Sequence, residues 1–137
     1  MINHHDALIC TMVLASAADQ DMTDAELRTI GEIVNYLPVF KDFPRDRLPA
    51  ASRACAELLA DAKGLDRVLG EIKRALPPKL RETAYALACD VVAADGAATQ
   101  EELRLLQLLR DRLGIDLLVA AAIERGARAR HATLSRD

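Results

Sequence analysis

A twelve-residue segment occurs twice in this chain. Ala17-Ala18-Asp19-Gln20-Asp21-Met22-Thr23-Asp24-Ala25-Glu26-Leu27-Arg28 returns 76 residues later as Ala93-Ala94-Asp95-Gly96-Ala97-Ala98-Thr99-Gln100-Glu101-Glu102-Leu103-Arg104, with seven of the twelve positions identical. In both copies an Ala-rich apolar run meets an acidic turn, and a helix start of the form Thr-x-x-Glu-Leu-Arg follows. The threonine hydroxyl accepts an orphan N–H from the first helical turn. The glutamate reaches back to the threonine's own N–H, so each copy predicts a capping box. Asp24 and Glu26 also suit the positive end of a helix dipole. Two copies of one helix-turn-helix unit predict two similar hairpins related by an approximate two-fold axis, with the helix that precedes each turn packed centrally.

The rest of the chain reads in the same way. A first helix is predicted from about His4 to Ala18, with Leu8, Met12 and Ala15 on one stripe. The second presents Leu27, Ile30, Val34 and Leu37 and stops at Pro38. Residues 38–44 form a loop that holds both phenylalanines, Phe40 and Phe43, which pin it over the core. A third helix runs from near Arg45 or Pro49 to about Asp61, with Ala54, Leu58 and Leu59 facing inward. A fourth spans Leu65 to Leu76. Pro77-Pro78 opens a fifth that reaches about Ala94 and is apolar nearly all round, which marks a central helix. The sixth is capped by Thr99, lined by Leu103, Leu106, Leu109 and Leu113, and stopped by Gly114. Asp116 caps a seventh. Twenty-five alanines, 3% aromatics and no Trp favour closely packed helices over sheets. The expectation is one all-α domain over 1–137, a bundle of about seven helices.

Charge and cysteines narrow the class further. A net charge of −3 leaves no electrostatic footprint for general nucleic-acid binding. The stretch 126–137 is locally basic and reads as a solvated tail, with an anionic partner as the sharper alternative. Cys10, Cys55 and Cys89 are widely spaced and odd in number, which argues against a disulfide framework and for small buried apolar residues. No apolar run reaches the ~18 residues of a membrane span. The first six residues lack the basic start of a secretory signal. A cytoplasmic location is the expectation.

An Ala-rich helix ending in Ala93-Ala94-Asp95-Gly96, followed by Glu101-Glu102-Leu103, resembles the TerB-like tellurite-resistance family. Ala17-Ala18-Asp19-Gln20-Asp21 fits with Gln in place of Gly. The segment Leu80–Cys89 and the ending Ala122-Ile123-Glu124-Arg125-Gly126-Ala127 resemble a bacterial subgroup of it. The resemblance covers roughly residues 5–130. It implies an all-helical cytoplasmic domain, related to a module of DjlA-type membrane-anchored co-chaperones. It also implies an association with tellurite and other stress responses, in some members with divalent metal ions. It carries no catalytic residues.

The acidic turns are the candidate site. Asp19, Asp21 and Asp24 resemble the start of a calcium loop, but the EF-hand spacing fails at the sixth and twelfth positions, Asp24 and Ile30. Ala97 cannot ligate in the second copy. A composite site remains, with Asp19, Asp21, Asp90, Asp95 and Glu101 as ligands if the two-fold brings the turns together. Oxygen ligands alone favour calcium, magnesium or manganese. Turn formation and capping account for the same residue types without any ion. Asp90 stands out because it lies on an apolar helix, aligned with Leu14 of the first copy, and needs a partner there. His4 and His5 point about 100° apart on a helix, which does not suit a shared ion. No Gly-rich phosphate loop, HExxH or GxSxG is present, so no enzyme is expected. The reading is a non-enzymatic module acting through an unidentified protein partner; the alternative makes divalent-metal binding or sensing the function.

Overall fold

The computed structural model describes residues 2–18, 23–94 and 98–134. These form seven α-helices: α1 (His4–Ser16), α2 (Asp24–Tyr36), α3 (Leu48–Leu59), α4 (Gly64–Ala75), α5 (Pro78–Ala94), α6 (Gln100–Leu113) and α7 (Leu117–Arg130). Two single 3-10 turns, Pro38–Phe40 and Arg45–Arg47, shape the connection between α2 and α3. The described residues include no strand. None of their helices is long and apolar enough to cross a membrane.

The fold is organised around α1 and α5, which pack against each other. Every residue of α1 from Ala7 to Ser16 is buried. A helix with no polar face must be covered on all sides. Fully buried alanines on both helices (Ala7, Ala15, Ala84 and Ala88) keep their girth small. The hydroxyl of Thr11, also fully buried, donates to the Ala7 carbonyl at 2.8 Å, whereas the buried Ser16 hydroxyl at the end of α1 has no hydrogen-bond partner among the described residues.

Each central helix carries an outer partner. α3 packs on α1, and α7 packs on α5. The contacts Asp6–Arg47 and Cys10–Cys55 give α3 the direction of α1. Tyr85–Glu124 and Asp90–Arg130 do the same for α7 and α5. α4 fills the remaining side against α1, α3 and α6. Its start is tight: a Cβ on Gly64 would lie 2.2 Å from the Leu58 carbonyl oxygen, so only glycine fits.

The termini form as the sequence dictates. Both capping boxes are present, with Thr23 and Glu26 exchanging hydrogen bonds at the head of α2, and Thr99 and Glu102 at the head of α6. Gly114 ends α6 in the left-handed conformation (φ 69°), and Asp116 caps α7. Phe40 and Phe43 are buried as anticipated, in ring contact with each other and with His5. His5 Nε2 lies 2.8 Å from the Val39 carbonyl oxygen, so this histidine holds the loop.

Three expectations are corrected. Cys10 and Cys55 are not independent apolar fillers; they form a disulfide between α1 and α3, with Cα atoms 5.5 Å apart, and Cys89 alone is free and buried. An odd cysteine count says nothing against one pair plus one single residue. On α3, Leu58 and Leu59 pack against the core as expected, but the buried residues are Ser52 and Cys55, and Ala54 is exposed. Cys55, bonded to Cys10 of α1, lies on the buried side of α3. Finally, the basic stretch read as a tail is helical as far as Arg130.

Two stability changes follow. The disulfide closes a sequence separation of 45 residues. Reduction, or Cys55→Ser, is expected to cost about 4 kcal/mol by loop-closure entropy, read as a lower urea midpoint. An unchanged midpoint with reductant counts against the bond. Thr99→Ala, which removes one cap, is expected to cost about 1 kcal/mol in the same assay.

Candidate functional site

The connection from α6 to α7 is only residues 114–116, whereas that from α2 to α3 spans 37–47 and carries the two buried phenylalanines. α6 and α7 both lie on α5, and between them is a cleft of about 720 Å³. Its floor is Tyr85, Cys89 and Val92 of α5. Leu103, Leu106 and Arg110 line it from α6; Glu124, Arg128 and His131 line it from the α7 side. Leu103 is 49% exposed, so this wall offers apolar surface to whatever enters.

Polar groups converge at one end. The Tyr85 hydroxyl donates to Glu124 Oε2 at 2.5 Å, and Arg110 Nη1 lies 3.7 Å from the same oxygen. Burial drives the Tyr85 pKa far above its ordinary value, and the hydrogen bond to Glu124 adds to this. Burial likewise pushes the Cys89 thiol up to about 12, opposed in part by its hydrogen bond with Tyr85 and reinforced by the charges of Glu124 and Asp90. Both groups keep their protons at neutral pH, so Cys89 is no thiolate nucleophile. Arg110 Nε is enclosed, donates no hydrogen bond, and is 4.0 Å from Asp111 Oδ1.

Beside the cleft, Asp90, with an 18% exposed side chain, accepts from Arg130 Nη2 at 2.6 Å, and the Nε2 of the lining residue His131 is 3.5 Å away. This is the partner that an acid on an apolar helix requires, and it ties the end of α7 to α5.

The five residues expected at a metal site divide. Asp19, Asp21 and Asp95 lie outside the described residues. Glu101 is exposed in the first turn of α6. Asp90 is engaged by Arg130. Among the described residues no three His, Cys, Asp or Glu side chains form a group able to hold an ion.

The cleft itself was not anticipated, although the repeat contains its signal. At the 76-residue offset, Tyr85 corresponds to Ile9, Asp90 to Leu14 and Arg110 to Val34. The three first-half residues are buried aliphatics. Polar residues replace them in the second half, at the cleft and its rim. Comparing the copies as core positions, beyond their turns, finds the site.

The retained protons give a pH dependence. Folding raises the Cys89 and Tyr85 values, so their stabilisation is complete below the unfolded thiol's value near 9 and is lost as pH climbs toward about 12. The urea midpoint should fall above that lower limit, and Cys89→Ala should flatten part of the fall; equal slopes in both proteins rule out the assignment. Asp90→Ala should raise amide exchange in the last turn of α7 while lowering global stability by about 1 kcal/mol or less, since Arg130 is largely exposed.

Nothing among the curated proteins or the solved structures matches the chain. The family model described as Tellurite resistance protein TerB matches residues 5–124, which takes in α1 to α6 and the first half of α7. The chain belongs to the TerB family.

Proposed function

We propose that this TerB-family module works by docking a partner protein in the cleft between α6 and α7, as part of a tellurite- or stress-resistance response. The observation that carries this reading is the cleft itself, about 720 Å³ with the half-exposed Leu103 on its wall. Apolar surface held open between two helices is the form in which helical modules receive apolar side chains of a partner. The acid–base groups in the cleft favour contact over catalysis. Tyr85 and Cys89 are protonated, and Glu124 is held between Tyr85 and Arg110. At that end of the cleft this leaves no thiolate nucleophile and no unpaired carboxylate.

Leu103→Lys tests the proposal, because an exposed helical position accepts lysine without loss of fold. In cells lacking the native gene, the wild-type chain should restore tolerance to tellurite. The Leu103→Lys chain, with an unchanged melting temperature, should not. Full restoration by the variant rules out the cleft as the working surface.

Divalent-ion binding is the second reading, favoured by the recurrence of Ala-Ala-Asp at Asp19 and Asp95. Calorimetric titration with calcium, magnesium and manganese separates the two. A binding isotherm lost in both Asp19→Ala and Asp95→Ala supports it, and no heat at millimolar ion dismisses it.

A further inference from the structure

The two halves of the chain are built on one plan, so each serves as a reference for the other. A role confined to packing is met in the first half by Ile9 and Val34, both buried. The second half places Tyr85 and Arg110 at the equivalent positions, where they join Glu124 at the end of the cleft. Sinking polar groups into a core is unfavourable unless they are matched. The match here is incomplete, since Arg110 Nε is enclosed without a hydrogen-bond partner.

Charge supplies the second strand. The chain as a whole is acidic at −3, yet residues 124–131 carry three arginines against one glutamate. That glutamate is already engaged by Tyr85 and Arg110. Arg128 lines the cleft and makes no ion pair among the described residues. Arg128 therefore adds positive charge without a carboxylate partner among the described residues, on a cleft whose opposite wall is Leu103 and Leu106.

We infer that the occupant of the α6–α7 cleft is an acidic amphipathic peptide segment, its apolar side chains set against Leu103 and Leu106 and its carboxylates against Arg110 and Arg128. The inference rests on the reading of the cleft as a docking site and adds the chemistry of the partner. Leu103 to Arg110 spans two helical turns of α6, about 10 Å at 1.5 Å per residue, so the site grips about two turns of a helical segment. Charge of this kind selects partners and speeds encounter more than it adds affinity.

The probe is a labelled helical peptide with leucines at i, i+3 and i+7 and glutamates on both flanks. A twin carries lysine at each glutamate. Fluorescence anisotropy with the full chain is expected to show the glutamate peptide binding at least about tenfold tighter than its twin, with affinity falling as salt rises. Arg128→Glu, an exposed change that leaves the fold intact, should reverse the preference, and Arg110→Glu should do so more strongly. Equal binding of the two peptides, lost in Leu103→Lys, overturns the acidic partner while leaving the docking cleft in place. Failure of both peptides to bind at about 1 mM overturns the inference. Sedimentation showing a wild-type dimer that Arg128→Glu dissociates also overturns it, by making a second copy the occupant.

Discussion

Everything in this molecule depends on α1 and α5 lying against each other. α1 has no face that tolerates water, being buried without a break from Ala7 to Ser16, and α5 buries Ala84, Tyr85, Leu87, Ala88, Cys89, Val91 and Val92. A helix of that kind is stable only when other helices enclose it, because propensity alone does not hold a thirteen-residue helix in water. The five remaining helices are a shell around this pair. Their own patterns are amphipathic and their inward residues few; α7 buries only Ala120 and Ala127.

The sequence discloses features that depend on local chemistry. Thr23 with Glu26, Thr99 with Glu102, Gly114 and Asp116 act on their own turns, and each ends or starts a helix where the sequence places it. The central status of the two apolar helices is legible for the same reason, since it follows from composition around a single helix. The TerB resemblance is carried by those local turns, and the family match extends over the same helices. What the sequence conceals is the outcome of tertiary choice. Leu27 and Leu103 occupy apolar helix positions yet remain 41% and 49% exposed, while the capping glutamates beside them, Glu26 and Glu102, are buried. Cys10 and Cys55 meet only when α3 docks. The cleft exists because two helices share one floor without closing over it, which no periodicity records.

Asp90 illustrates the boundary between these cases. Its oddity is visible in the sequence, as an acid where the first copy has Leu14, and the need for a partner follows from desolvation. The partner does not. Arg130 and His131 sit 40 and 41 residues away, in a stretch that reads as a frayed basic end. They become a fixed counterpart only through the direction and register of α7 on α5.

The outer helices of the two halves are fastened by different means. α3 is joined to α1 by a covalent bond between Cys10 and Cys55. α7 is joined to α5 by the Tyr85–Glu124 hydrogen bond and the Asp90–Arg130 ion pair. A duplicated architecture thus answers two separate features of its surroundings. Thiol reductants act on the fastening of the first half alone, whereas ionic strength reaches both, through Asp6–Arg47 in the first half and Asp90–Arg130 in the second. The pseudo-symmetry of the backbone conceals a division of sensitivity, with the redox-sensitive bond confined to the half that lacks the cleft.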